Sequence, residues 1–223
     1  ARLREKSGVQ VKDAKLVSLT TETGDTYTAK VFIDASYEGD LMAQAGVTFT
    51  VGREAVATYN EERAGIRPPV PFGHPAKPGD LGSARDASGL IPFLVEPFGK
   101  PGDADHRIMS YTFRLSLTRN PTNRVLFTKP HDYDPRRYEL VLRELALKPE
   151  AEFGDYVRLN EIPNGKVDAN NRPVVIVSTN LPNGSWGWPN GTYAQREQIW
   201  KQHESYLRGF YWFMQSDPRV SAK

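Results

Sequence analysis

The feature that most limits how this chain can fold is a proline- and glycine-rich stretch at residues 66–103. It holds eight prolines and six glycines in 38 positions, including the run RPPVPFGHPAKPGD. Proline removes a backbone donor and glycine weakens regular elements, so this density excludes long helices and strands. We therefore expect a long ordered loop or linker, which either joins two pieces of the chain or passes over a site.

Composition excludes several classes of protein. Lys and Arg number 29 against 27 Asp and Glu, a net charge of +2, which is too balanced for a nucleic-acid-binding surface. The absence of cysteine excludes disulfides, thiolate catalysis, iron–sulfur clusters and zinc ribbons. No apolar run is long enough to span a membrane, and no charged-then-apolar leader opens the sequence. We expect a soluble protein whose partners include neither nucleic acid nor membrane, and the sequence does not indicate its compartment.

The first 65 residues predict a hairpin that leads into a buried strand. Apolar residues alternate through residues 9–34 on either side of a turn centred on Gly24 and Asp25. The second arm ends in the apolar run Val31-Phe32-Ile33, which is typical of a strand buried on both faces at residues 31–35. A helix is also expected at residues 54–64.

A short helix is predicted directly after this strand, with Ser36 as its N-cap and Gly46 at its end. Such a junction often binds an anion, but no G-x-G occurs in the sequence, and Glu38 and Asp40 would repel phosphate. Two interpretations stay open. The helix is an ordinary capped helix, or Ala35 and Ser36 touch a neutral part of a ligand through their backbone groups.

The second half predicts an antiparallel sheet with helices. Strict alternation at residues 107–117 (RIMSYTFRLSL) indicates a half-buried strand, with Met109, Tyr111 and Phe113 on its apolar face. Asp134-Pro135 predicts a helix start, and Thr192 with Gln195 predicts a capping box for a long last helix. Arg114 falls on the polar face, either as an ion-paired surface residue or as an anchor for a substrate oxyanion or carboxylate.

Three further groups have both a structural and a functional interpretation. His203 lies on the apolar stripe of the last helix, which favours a hydrogen-bonded core histidine over a general base. Aromatic residues crowd the loop before that helix and either stack on sugars or close the end of a domain; they are Trp186, Trp188 and Tyr193. Polar residues gather in an earlier turn, where turn chemistry alone explains the asparagines; they are Asn164, Lys166, Asp168, Asn170 and Asn171.

No metal site is predicted, and no catalytic residue is singled out. His203-Glu204 begins like a zinc-protease motif, but Leu207 stands where the second histidine is required. The DANN sequence at 168–171 lacks the glycine and the terminal glutamate of a calcium loop.

Seven stretches, in order, resemble a bacterial family of FAD-dependent oxidoreductases whose FAD domain is like that of glutathione reductase. Some members of that family accompany polysaccharide-degrading proteins. The similarity covers about residues 9–223. The matching stretches are AKVFIDASYEGDLMAQAGVTFTVGREA at 29–55, MSYTFRLSLT at 109–118, YDPRRYELVLR at 133–143, PNGKVDANN at 163–171, ST at 178–179, WP at 188–189 and HESYLRGFYWFMQSDPRV at 203–220.

The resemblance implies an α/β flavoprotein, of which this chain is an α+β portion. Residues 1–65 would be a remnant of the FAD-binding domain, residues 66–105 a loop or linker, and residues 106–223 part of a substrate domain whose mostly antiparallel sheet faces the flavin. Ala35, Ser36 and Tyr37 would then lie near the adenosine end of FAD. The polar side of the sheet would bind substrate through Arg114, Asn164, Lys166 and Asn170. The family's G-x-G-x-x-G segment, and the segment that follows DPRV, are not in this sequence.

These observations lead to three hypotheses. The first is a portion of an FAD-dependent oxidoreductase for a small polar or sugar-like substrate, inactive without further segments of its polypeptide or a second chain. The flavin would carry the redox chemistry while the protein positions the substrate. The second is a non-enzymatic glycan-binding module that uses Trp186, Trp188 and Tyr193. The third is a structural piece that completes its fold only with other segments.

Overall fold

The computed structural model describes residues 1–67, 85–94, 99–172, 175 and 177–220. The middle of the proline- and glycine-rich stretch, at 68–84 and 95–98, lies outside the described residues, so the loop expected there is not addressed. The described part combines helices with antiparallel sheets, which confirms the α+β architecture expected for this portion of the chain.

The N-terminal residues form a three-stranded antiparallel sheet, made of β1 (Val9–Lys12), β2 (Lys15–Thr20) and β3 (Thr26–Thr28). The predicted turn is confirmed, with Gly24 at a φ of 94° between β2 and β3. A second turn at Asp13 and Ala14 was not predicted. Both residues have positive φ, and Lys12 pairs with Lys15 across them. The sequence pattern missed it because Asp-Ala lacks the glycine typical of two-residue hairpin turns.

The buried strand predicted at residues 31–35 is absent. These residues belong to no ladder with other described residues, and Val31 and Ile33 are 72% and 81% exposed. An apolar run becomes a doubly buried strand only where neighbouring strands and helices cover it. No described strand pairs with this segment, and Val31 and Ile33 therefore face solvent.

The short helix α1 (Asp40–Gln44) begins later than predicted. Its N-cap is Gly39, at a φ of 68°, so the prediction of Ser36 in that position is wrong. The predicted end is confirmed, because Gly46 has a φ of 82° just beyond the helix. The N–H groups of Gly46 and Val47 donate hydrogen bonds to carbonyl groups of the helix, as in a Schellman motif.

The two ends of the proline- and glycine-rich stretch lie side by side. Ile66 donates its N–H to the carbonyl of Asp103 at 2.8 Å, and Gly102 donates to Ile66 at the same distance. Before this contact, α2 (Val56–Tyr59) is much shorter than the helix expected at 54–64, since Asn60 adopts a left-handed conformation and ends it. A small hairpin of β4 (Arg85–Asp86) and β5 (Gly89–Leu90) follows.

The second sheet is antiparallel and has the order β6-β8-β7, formed by β6 (Leu115–Thr118), β7 (Val157–Ile162) and β8 (Lys166–Asn171). The strand predicted at 107–117 is therefore only partly correct. Before Leu115 the chain is held by other bonds: Tyr111 donates its N–H to Ser185 Oγ at 3.0 Å, and the Thr112 hydroxyl donates to the Thr179 carbonyl at 3.1 Å. Met109, expected in the core, is 81% exposed.

The remaining helices agree more closely with the sequence. Asp134 accepts a hydrogen bond from Arg136 N and starts a 3-10 turn, Pro135–Tyr138, that continues into α3 (Glu139–Leu147). A short α4 (Phe153–Tyr156) precedes β7. The long α5 (Tyr193–Ser216) begins at Thr192 with the predicted capping box to Gln195. Each cap satisfies N–H groups that the first helical turn leaves without a partner.

The core lies between the second sheet and helices α3 and α5. It is rich in aromatic rings, and Tyr138 stacks on Phe213 with ring centres 5.2 Å apart. The Tyr138 hydroxyl donates to the carbonyl of Tyr206, so the one polar atom of this buried ring has a partner. The fully buried side chains include Tyr138, Val141, Tyr156, Val157, Leu181, Tyr206, Phe210 and Phe213.

Candidate functional site

A cleft of about 840 Å³ lies where the residues before α1, residues 109–112, the end of β8 and the loop before α5 meet. Hereafter it is called the cleft. Its walls combine aromatic rings, amides and charged groups. They include Tyr37, Glu38, Tyr111, Asn171, Arg172, Asn180 and Trp188. The cleft thus unites Tyr37, a predicted cofactor residue, with Trp188, a predicted sugar-stacking residue.

One side of the cleft is held by a buried ion pair between α5 and α1. Arg196, whose side chain is 9% exposed, donates to both carboxylate oxygens of Asp40 at 2.7 and 2.8 Å. Arg196 also donates to the carbonyls of Trp188 and Pro189. This pair raises the pKa of Arg196, through its hydrogen bond to Asp40 against the opposing effect of burial. The acidic residue predicted to repel phosphate therefore serves to fix the wall of the cleft.

The three loop aromatics have different environments. Trp188 borders the cleft, donates its indole N–H to Glu38 Oε1 at 3.1 Å and meets Tyr111 edge-on at 6.3 Å. Tyr193 donates its hydroxyl to the Leu3 carbonyl. Trp186 lies under the guanidinium of Arg107. Trp188 is therefore the member of the group that lines the cleft.

Behind Tyr111, His203 and Ser185 form a buried hydrogen-bonded pair. His203 Nδ1 lies 2.8 Å from the Ile199 carbonyl, which can only accept, so Nδ1 carries the proton and Nε2 accepts from the Ser185 hydroxyl at 3.0 Å. Burial lowers the pKa of His203, which keeps the ring neutral. Ser185 is fully buried and accepts the N–H of Tyr111. This is the core-histidine arrangement, and it fixes the backbone behind the cleft wall.

Tyr111 supplies a neutral hydroxyl to the cleft. Burial, and secondarily the negative charge of Glu38, raise the pKa of Tyr111. The phenol therefore stays protonated at neutral pH and can donate a hydrogen bond. On the opposite rim, Tyr37 is fully exposed and also borders a neighbouring cavity of about 480 Å³.

The residues before α1 do not fit the phosphates of a dinucleotide. Asp34 Oδ2 accepts the N–H of Met42 at 3.0 Å, and its other oxygen accepts from the N–H and hydroxyl of Ser36. Burial alone would raise the pKa of Asp34, but these hydrogen bonds outweigh it and lower the pKa. A carboxylate of the chain itself occupies the position that a bound phosphate would need. The aromatic and amide walls of the cleft do fit a neutral ring.

The substrate residues predicted on the sheet share one of its faces, here called the outer face. In the register, Ser116 lies opposite Asp168 and Arg158 opposite Asn170, so Arg114, Lys166 and Asn170 project away from the buried Val167 and Ala169. Arg114 is 65% exposed and forms an ion pair with Asp168. Asn164 lies in the turn between β7 and β8 with a φ of 68°, as turn chemistry requires.

Sequence reasoning missed the polar groups on the cleft wall, Arg172 and Asn180. Arg172 immediately follows β8, one residue beyond the polar cluster that the sequence singled out. Its backbone is held on the cleft by the hydrogen bond to Ser178 Oγ, which no local spacing reveals. Within the described ranges, no three His, Asp or Glu side chains come together as metal ligands. No described helix combines the length and apolar character needed to cross a bilayer.

Comparison with known proteins gives one family. A family model described as FAD dependent oxidoreductase matches residues 3–222, nearly the full length of the chain. No curated protein matches the sequence, and no solved structure matches it. The match spans the sheet of residues 9–28, the cleft and the whole of α5.

Proposed function

Because the chain belongs to the FAD dependent oxidoreductase family, we propose that it forms part of a flavoenzyme acting on a small polar or sugar-like substrate. The family match over residues 3–222 is the observation that carries the flavoenzyme part of this proposal. The flavin, when bound, supplies the oxidation or reduction of the substrate. The residues described above bind, orient and shield what lies beside it.

In this proposal the rim of the cleft forms one wall of the cofactor site. Ala35, Ser36 and Tyr37 are all exposed, and Tyr37 borders the cleft. They contact a neutral part of the cofactor near its adenosine end. Phosphates are bound by other residues, because the carboxylate of Asp34 already occupies the N–H groups before and within α1.

The second part of the proposal concerns residues 106–223, which act as the substrate domain. Arg114, Lys166 and Asn170 share the outer face of the second sheet, and Asn164 lies in its β7–β8 turn. Together they give this face a polar, positively charged edge that suits a polar substrate. Residues 66–105 connect this domain to the remnant of the cofactor domain at residues 1–65.

Further protein completes the cofactor site, either other segments of the same polypeptide or a second chain. Support comes from Val31 and Ile33, which are strongly exposed in a run that the sequence marks as a buried strand. Exposed apolar side chains in contiguous positions are typical of surfaces that another element covers. The phosphate-binding glycines that the sequence lacks would come from that element.

Flavin content tests this function. The 223-residue chain, mixed with FAD and then desalted, is expected to show no flavin absorbance, because its described residues offer no phosphate site. A polypeptide extended by its flanking coding sequence is expected to retain flavin in stoichiometric amount. An extended polypeptide that purifies without flavin and does not bind added FAD would contradict the proposal. Flavin retained by the 223-residue chain alone would contradict the proposal that further protein completes the cofactor site.

A glycan-binding module is the second candidate, favoured by the exposure of Trp188 and Tyr111 to the cleft. Ring stacking on sugars requires such a wall. Saccharide binding that is lost in Trp188→Ala and is independent of flavin would support it. Trp186→Ala serves as the matched control, since Trp186 packs under Arg107 instead.

A further inference from the structure

Arg172 lies on the cleft wall, and its side chain forms no hydrogen bond or ion pair with a described residue. It borders the cleft, and its Nε is buried without a hydrogen-bond acceptor. In the part of the chain that the structure describes, no carboxylate forms an ion pair with its guanidinium. An unpaired buried donor costs free energy that a bound acceptor would recover. Turning the side chain to present Nε to the cleft breaks no hydrogen bond with a described residue.

The backbone that carries Arg172 is firmly held. Its N–H donates to Ser178 Oγ at 2.9 Å, and the Ser178 hydroxyl donates to the Tyr156 carbonyl at 2.6 Å. The carbonyl of Ser178 in turn accepts the hydroxyl of the fully buried Tyr206 at 3.0 Å. A side chain without a described partner, on a backbone held in this way, is the arrangement expected of a binding residue, because little backbone freedom is lost on binding.

The groups around Arg172 define the ligand. Glu38, the acidic residue on the cleft wall, already accepts the indole N–H of Trp188. Asn180 also borders the cleft, and its side chain has no hydrogen bond with a described residue. Trp188 and Tyr111 meet edge-on and contribute two aromatic rings to the cleft wall.

We propose that the cleft binds a ring-bearing carboxylate, with Arg172 on the carboxylate and Trp188 and Tyr111 against the ring. Guanidinium and carboxylate match in a two-bond geometry, which makes arginine the side chain suited to this recognition. This inference goes beyond the proposed function, because it assigns the cleft a ligand of its own, apart from the outer face that holds Arg114, Lys166 and Asn170. Arg114, the arginine selected from the sequence, is by contrast already paired with Asp168.

Binding of small-molecule probes to the 223-residue chain tests the proposal, and this measurement needs neither flavin nor catalytic turnover. The probes are two matched pairs, D-glucuronate with D-glucose and benzoate with benzyl alcohol, each titrated by calorimetry. At least one acid is expected to bind about tenfold or more tightly than its neutral analogue. Arg172→Gln is expected to lose that advantage, and Arg172→Lys to recover part of it.

Two controls make the result specific. Arg119→Gln removes an exposed arginine paired with Glu161 and is expected to bind as the wild type does. Thermal unfolding of Arg172→Gln is expected to match the wild type, which separates lost binding from lost folding. The proposal is overturned if neither acid binds, if acid and neutral probe bind alike, if Arg172→Gln binds normally, or if Arg114→Gln alone removes binding. Flavin content of the extended polypeptide is unaffected by any of these results.

Discussion

Replacing Arg196 with Met should strongly destabilise the protein. The substitution keeps the helix propensity and most of the apolar stem of the side chain, so the change is confined to the guanidinium. Removing it leaves Asp40 without its ion-pair partner and the Pro189 carbonyl without its donor. The Trp188 carbonyl still accepts from Gly191 N, so it is not left unpaired.

The structure sets the expected magnitude. Breaking a buried ion pair by removing one partner costs roughly 3–5 kcal/mol. Asp40 keeps 31% of its side chain exposed, and water therefore recovers part of its solvation. We expect a loss of about 3 kcal/mol, at the low end of that range. For a chain of this length each kcal/mol lowers the melting temperature by about 2–4 °C, which gives a shift of roughly 6–12 °C.

Thermal unfolding followed by circular dichroism measures the loss. The matched control is Arg208→Met, on the same helix, whose ion pair with Glu204 is 52% and 34% exposed. Exposed pairs of this spacing contribute less than about 0.5 kcal/mol. Asp40→Asn combined with Arg196→Met should cost less than the sum of the two single changes. Equal losses for Arg196→Met and Arg208→Met would refute the argument.

Three further predictions concern the core beside the cleft. Ser185→Ala leaves Tyr111 N–H and His203 Nε2 without partners and should cost about 1–3 kcal/mol in chemical denaturation, whereas an unchanged midpoint would contradict this. Burial lowers the pKa of His203, so the buried neutral ring contributes fully to stability above the unfolded-state pKa of about 6.5, and this contribution is lost as pH falls below that value. Between about pH 8 and pH 5, the free energy of unfolding should therefore fall less in His203→Gln than in the wild type. Gly209→Ala would push a methyl group against the Tyr138 hydroxyl and should lower the free energy of unfolding by about 1–3 kcal/mol. An unchanged melting temperature would show that the space between Gly209 and Tyr138 accommodates the methyl group.

The features that were predicted correctly from the sequence depend on residues that lie only a few positions apart in the chain. The capping box of Thr192, the Asp134 cap and the Gly46 terminus all join neighbours in the chain, and the structure has all three. Helix caps depend on local hydrogen bonds and are thus readable from spacing. Strand length was less predictable, because the bonds that replace the ladder before Leu115 reach Ser185 and Thr179.

The same distinction explains what was missed at the candidate site. Tyr37 was singled out by the family resemblance and Trp188 by local composition, and the structure brings both to the cleft. Arg172 was not singled out, because its proposed role depends on the absence of a side-chain partner among the described residues, and a sequence does not display absent contacts. Arg114 was favoured for lying on a polar strand face, but such a face also contains the carboxylate that pairs with it.

The contacts that hold the cleft together also constrain the order in which the chain folds. Trp188 and Glu38 are 150 positions apart, Arg196 and Asp40 are 156 apart, and Tyr193 and Leu3 are 190 apart. Closing loops of this length is slow, and during synthesis the N-terminal residues emerge long before α5 exists to receive them. Residues 1–44 are therefore synthesised well before the residues of α5 and its preceding loop that they contact in the folded protein. We expect this to make the N-terminal region the one most dependent on chaperones.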